Sequence, residues 1–306
     1  MTKRTGPKPK TVESCIEIMC EGLSGTIAER TIRGYREDMK FLTKRLQESG
    51  HHYWPWDIDE EDVRWLLQDF QERGHAISTR RGYISAVRTY TKFYGNNAVR
   101  NMKIRWPHDD RPTVDWLSEE QAKHLLRLDM NPVQEFVVHC ELCLGMRRIE
   151  VLRLTTDSFQ GEFVNILGKG SQGGKPRIMH CHRDTGRVLN RFLRYRNDLI
   201  AYVKSATSKE VIVPDRLLIY AKGTKLRTYT EKGSGIDALL KPLGEQIGYD
   251  FSNHTLRRTF GRIMYRSGVR LPTIAAMLGH ESVEMTMKYI GVNFDDMSGA
   301  MDVFRL

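Results

Sequence analysis

The sequence predicts a mostly α-helical protein, α+β overall, with an all-α N-terminal domain followed by a helical domain that holds a small antiparallel sheet. Three observations predict it. Residues 11–103 carry apolar side chains at helical spacing. The stretch from Arg105 to Pro112 interrupts that pattern with two prolines and paired charges. Beyond it, two short segments of strand character flank a glycine-rich turn among further helical runs.

Taken in order, the first strong helix lies between Thr31 and Gln47. There Ile32, Tyr35, Met39, Leu42 and Leu46 recur at spacings of 3, 4, 3 and 4, which makes one apolar stripe. Arg36, Lys40 and Lys44 align off that stripe. Asp59 is placed to cap a second helix that buries Val63, Leu66, Leu67 and Phe70 before Gly74. A third begins near Ser78, carries Tyr83, Val87, Tyr90 and Tyr94 on one side, and stops at Gly95. Arg80, Arg81 and Arg88 on this helix form a basic set suited to DNA phosphates.

The expected division is a helical domain over 1–106, a linker over 107–117 and a second domain over 118–306. Ser118-Glu-Glu-Gln121 is a capping box that opens the second domain. Helices are expected over 119–129, 132–146, 185–204, 235–247, 255–267, 272–278 and 283–290. Strands are expected at 162–167 and 177–181, joined by the turn from Gly168 to Gly174.

Net charge is +10 over 306 residues, and both halves are basic, by +4 in residues 1–112 and +6 in 113–306. An excess spread along the chain suits a polyanion gripped along its length better than a basic tail does. No secretory leader pattern opens the chain, and no window approaches the ~20 apolar residues of a membrane span, so a cytoplasmic protein is expected. The five cysteines read as reduced thiols. Cys140 and Cys143 have metal-ligand spacing, and His180 and His182 flank Cys181. Neither group has a visible fourth ligand, and both are read as structural.

Four dispersed segments concentrate phosphate-binding groups. Arg147 and Glu150 stand three apart, on one face of an expected helix, where the carboxylate can orient the guanidinium. Lys169 sits in the glycine-rich turn between Gly168 and Gly170. That turn is not a Walker loop, because Lys169 and Pro176 occupy positions that need Gly and Ser or Thr. His254 and Arg257 lie one turn apart near a helix start, where backbone N–H groups also favour an anion. His280 follows Gly279 at a helix corner, and Tyr289 comes nine residues later on the next helix.

These four segments, in this order, resemble the signature of the tyrosine site-specific recombinases, the phage-integrase and Xer-like family. Arg147 with Glu150 resembles its first arginine motif, Lys169 its hairpin lysine, His254 and Arg257 its His-x-x-Arg box, and Leu278-Gly-His280 with Tyr289 its closing motif. The N-terminal helices resemble its SAM-like core-binding domain, so the likeness covers nearly the whole chain. Two departures stand out. Ser171-Gln-Gly-Gly174 lengthens the turn, which leaves Lys175 a second candidate for the lysine role, and Ile149 occupies a position where the family generally has a small residue.

The resemblance implies transesterification at a DNA phosphodiester. Tyr289 takes the 3′-phosphate and frees a 5′-hydroxyl, Arg147 and Arg257 clamp the non-bridging oxygens, and Lys169 protonates the leaving oxygen. His254 serves as an acid–base or hydrogen-bonding partner and His280 as a donor. It implies no metal, nucleotide or other cofactor. The implied partners are double-stranded DNA with a specific recombination site and three further copies in a homotetramer, with monomers or weak oligomers in the free state. The apolar tail 290–306 would dock on a neighbouring protomer, and the enzyme would associate with the nucleoid. No further module is expected before residue 11, so no separate arm-site-binding domain is expected either. The competing readings are a type IB topoisomerase-like relaxase and a non-catalytic DNA-binding protein.

Overall fold

The computed structural model describes residues 9–106, 115–168, 176–231 and 234–292. They group into two compact units, divided between Pro112 and Thr113. Among the described residues, no helix is long and apolar enough to cross a membrane.

The first unit is all helical, with α1 (Val12–Leu23), α2 (Glu29–Glu48), α3 (Glu60–Glu72) and α4 (Ile77–Phe93). The stripe on α2 packs as its spacing predicts, since Ile32, Met39, Leu42 and Leu46 are buried and Tyr35 lies at the edge of the same core. Asp59 caps α3 by accepting from the N–H groups of Glu61 and Asp62, and Asp62 returns the bond to the Asp59 N–H. Phe70, Val87 and Tyr90 close the core between α3 and α4.

The second unit runs through α5 (Glu119–Arg127), α6 (Pro132–Val138), α7 (Arg148–Arg153), α8 (Thr185–Ser205), α9 (Gly235–Ile247), α10 (Asn253–Arg266), α11 (Leu271–Leu278) and α12 (Val283–Ile290). Ser118 and Gln121 form the expected capping box on α5. Strands β1 (Phe159–Gln160), β2 (Phe163–Leu167) and β3 (Pro176–His180) make an antiparallel sheet in that order. Val164 pairs with Met179, and both turn into the core. A second antiparallel pair, β4 (Ile219–Lys222) and β5 (Lys225–Thr228), lies where sequence reading placed no strands.

The helix expected over 132–146 ends early. After Val138 the backbone widens into a π-helical turn, His139–Cys143, and Met146 N–H reaches back to the Cys140 carbonyl. Gly145 then stops the run with φ +57°, and a Cβ there would lie 2.4 Å from the Phe260 ring. This corrects the sequence expectation for Arg147. It is the extended N-cap of α7 and does not sit within a helix. Glu150 faces it because it occupies the third position of the new helix, as in a capping box.

Candidate active site

The site grows around the fully buried Glu150 carboxylate. Glu150 Oε2 accepts the Arg147 backbone N–H at 2.8 Å, and Oε1 accepts Arg147 Nη1 at 2.8 Å. Arg177, entering from β3, donates Nη1 and Nη2 to the two oxygens, each at 2.8 Å. Arg257 Nη1 stands 3.5 Å from Oε2. Burial by itself would raise the carboxyl, but the Arg177 hydrogen bonds, the charges of Arg177 and Arg257 and the Arg147 N–H outweigh it and hold it down at about 2. Glu150 is therefore ionised, and one carboxylate orders three guanidinium groups. Two positive charges remain for an incoming anion.

Arg257 is 1% exposed and comes from the first turns of α10. Ser252 caps that helix by accepting the Thr255 N–H. Arg257 Nη1 donates to the Gly145 carbonyl at 2.5 Å, and Nη2 divides its hydrogens between the Leu278 carbonyl and His280 Nε2. The two-pronged clamp read from the sequence is therefore already engaged by the Gly145 and Leu278 carbonyls and by His280. Burial, and then the charge of Arg147, lower this guanidinium to about 10.

The corner between α11 and α12 supplies the other half. Gly279 ends α11 with φ +60° and ψ +47°, a conformation that costs other residues energy. Its carbonyl accepts Arg147 Nη2 at 3.3 Å, and a Cβ there would stand 3.3 Å from Arg177 Nη1. His280 Nδ1 lies 3.0 Å from Thr286 Oγ1, so with Arg257 donating to Nε2 the neutral ring carries its proton on Nδ1. Burial, followed by the charges of Arg257, Arg147 and Arg177, pushes His280 down to about 4.

Tyr289 on α12 packs its ring edge-on to His280, 5.0 Å between centroids. Arg257 lies 5.7 Å and Arg258 5.4 Å from the centre of the Tyr289 ring. The phenol donates to the His254 carbonyl at 3.4 Å. Burial raises its pKa, while the charges of Arg257 and Arg258 pull the other way. His254, at the start of α10, is open to water on one side. Partial desolvation and then the charges of Arg258, Arg257 and Arg147 lower its imidazole.

Arg147, Glu150, His254, Arg257, His280 and Tyr289 thus meet in one place, and the fold adds Arg177 and Arg258, which sequence reading missed. Lys169 and Lys175 lie outside the described residues, although Gly168 at the edge of their turn is held by Arg153 Nη1 at 2.9 Å. In the first unit the basic set divides. Arg80 is 8% exposed and donates to Gln71, so the expectation that it lies on an open phosphate-facing surface is corrected. Arg81 stacks on Trp106 and Arg88 donates to the Met102 carbonyl. Both line an open groove of about 480 Å³ together with Lys92, Arg100 and Trp106.

A phenol set between Arg257 and Arg258, beside a cluster of guanidinium groups on a buried carboxylate, defines a site suited to a phosphate ester. Comparison with known proteins gives the family. Residues 115–296 match the phage integrase family, and residues 22–95 match the phage integrase N-terminal SAM-like domain. The chain belongs to the phage integrase family, the tyrosine recombinases, which cleave and rejoin DNA. Similar curated proteins include tyrosine recombinase XerA of Pyrococcus horikoshii, 22% identical over 91% of this chain and 89% of that one. Another is tyrosine recombinase XerD of Chlorobaculum tepidum, 25% identical over 96% and 95%. The fold is shared with a XerH site-specific recombinase bound to a palindromic difH substrate, at a TM-score of 0.66 and 14% identity over 95% of this chain and 94% of that one. It is also shared with a lambda integrase dimer bound to a COC′ core site, at 0.64 and 13% over 90% and 94%.

Proposed function

We propose that this chain carries out site-specific DNA strand exchange (integration, excision or resolution) with Tyr289 as the nucleophile, acting in cis. Its phenol attacks the scissile phosphorus, forms a 3′-phosphotyrosyl link and releases a 5′-hydroxyl. Arg147 and Arg257 stabilise the charge that grows on the non-bridging oxygens, and removal of one such donor costs on the order of 10²–10³ in rate. The resemblance makes His280 a donor to the phosphate; with its Nδ1 proton facing Thr286, we assign it instead to positioning Arg257 through Nε2. Lys169 protonates the leaving oxygen, with Lys175 as its alternate, and His254 assists proton transfer near the phenol. Glu150 is a positioning residue that holds the guanidinium groups without touching DNA. The phosphotyrosyl bond conserves the energy of the broken ester, so the reaction runs without nucleotide or metal ion. The working assembly is a tetramer on two duplexes bearing the recombination site, joined by the tail 290–306, of which residues 293–306 lie outside the described residues, in the cytoplasm at the nucleoid.

The observation that carries this reading is the packing of the Tyr289 ring against Arg257 and His280 of its own chain. A nicked suicide substrate tests it. Denaturing gels should show a covalent protein–DNA adduct with the wild type and none with Tyr289→Phe. An adduct that persists in Tyr289→Phe, or none with any bound site, refutes the reading.

A further inference from the structure

The chain segments that lead to Arg147 and away from Arg177 carry a second constellation that strand cleavage does not use. The π-helical turn His139–Cys143 contributes His139 and Cys143. His182 follows two residues after the end of β3. Sequence spacing separates these residues into two unrelated groups, but the fold brings one ligand atom from each to within 4.8 Å of the others. The two imidazole rings meet edge to face with centroids 5.6 Å apart.

The surroundings fit a bound cation better than a chance cluster. His139 is 4% exposed, and its Nε2 is fixed by Thr185 Oγ1 at 2.8 Å. His182 lies at the surface and Cys143 between the two, so the group opens to solvent on one side and has an entry path. His182 Nδ1 accepts the Asp184 backbone N–H at 3.2 Å, which fixes the orientation of the ring. Zinc takes nitrogen at about 2.0–2.1 Å and thiolate sulfur at about 2.3 Å, which in a tetrahedron separates ligand atoms by roughly 3.3–3.7 Å.

We propose that His139, Cys143 and His182 form a site for a borderline-soft divalent cation of the zinc type, with a fourth, solvent-facing position held by water. Two imidazoles and one thiolate select such a cation over magnesium or calcium, which prefer oxygen ligands. Cys143 precedes Arg147 by four residues and His182 follows Arg177 by five, so an ion here would tie together the two segments whose guanidinium groups meet on Glu150. Its role is to position them, and it takes no part in the ester chemistry.

The test uses the full chain, stripped with a chelator and titrated with Co²⁺ under reducing conditions. The expected result is one ion per chain, a thiolate-to-cobalt charge-transfer band and displacement by one equivalent of Zn²⁺. Cys143→Ser and His182→Ala should each abolish the band. Thermal melting checks that each variant is folded. Because His182 is exposed, His182→Ala decides the matter even where Cys143→Ser does not fold. Covalent adduct formation on the nicked substrate should be slowed but not abolished in His182→Ala, because the ion positions Arg147 and Arg177 without touching the ester. A spectrum without the thiolate band, or a band that persists in His182→Ala, overturns the proposal.

Discussion

The two units carry similar excesses of positive charge and both hold ordinary ion pairs, but the second also gathers guanidinium groups into a buried cluster. In the first unit cations are matched one to one or two to one by acids across helices. Glu17 on α1 holds Arg36 at 2.9 Å and Lys40 at 3.2 Å, and Asp69 on α3 holds Arg45 and Arg73. In the second unit three guanidinium groups converge on one carboxylate that water does not reach. Exposed pairs of the first kind contribute about 0–1 kcal/mol each, whereas removing one partner from a buried cluster costs about 3–5 kcal/mol. Net charge therefore reports affinity for a polyanion, while the number of cations per buried acid reports where an anion is to be held.

Substitution of Glu150 tests that contrast most severely. Glu150→Ala leaves Arg147, Arg177 and Arg257 facing one another, and it should destabilise the protein by about 3–5 kcal/mol in urea unfolding. A loss below about 1 kcal/mol would place this cluster on the same footing as the surface pairs. Arg147→Ala comes next. Single-turnover cleavage of a nicked site should fall on the order of 10²–10³-fold while the fold survives.

Acid supplies the third test. The Glu150 carboxyl is held at about 2 in the folded chain, against 4.5 as the model-compound value. Its pairing therefore stabilises the protein fully above about 4.5, and that stability is lost as the pH falls toward 2. The difference amounts to about 3 kcal/mol, readable as a falling urea midpoint across that window. Gly279→Ala should cost about 1–2 kcal/mol through its left-handed backbone, with slower cleavage because its new Cβ meets Arg177. Smallest of all, Glu17→Ala should shift stability by no more than about 1 kcal/mol and leave cleavage by the wild-type site intact.

What was legible in the sequence follows the same division. Helices with a capping residue and a regular apolar stripe, such as α2, α3 and α5, declare themselves locally, because the signals lie within a turn or two of each other. The π-helical turn does not. It lies inside the apolar run from Val133 to Leu144, where helical spacing continues and only Gly145 marks a stop. Hairpin β4–β5 was missed because its strands have four residues each. Gly223, with φ +59°, is the turn signal that could have revealed it. Residues 147, 254, 257, 280 and 289 were found through the order of their motifs. Arg177 was missed because its partner Glu150 lies 27 residues upstream and nothing near it in the chain marks the pairing. Glu141 shows the same limit. It is as buried as Glu150, but among the described residues its oxygens find no hydrogen-bond partner, and burial raises its carboxyl well above the usual range. Two glutamates nine residues apart are thus shifted in opposite directions, and only the packed structure distinguishes them.

The elbow at Gly279 joins two adjustments that could otherwise vary separately. Its carbonyl steadies Arg147, and its turn fixes the direction in which α12 departs, carrying Tyr289. Any drift in that single backbone unit retunes the anion cradle and swings the attacking ring together. Neither the guanidinium cradle nor the direction of Tyr289 can therefore be adjusted at this position without disturbing the other.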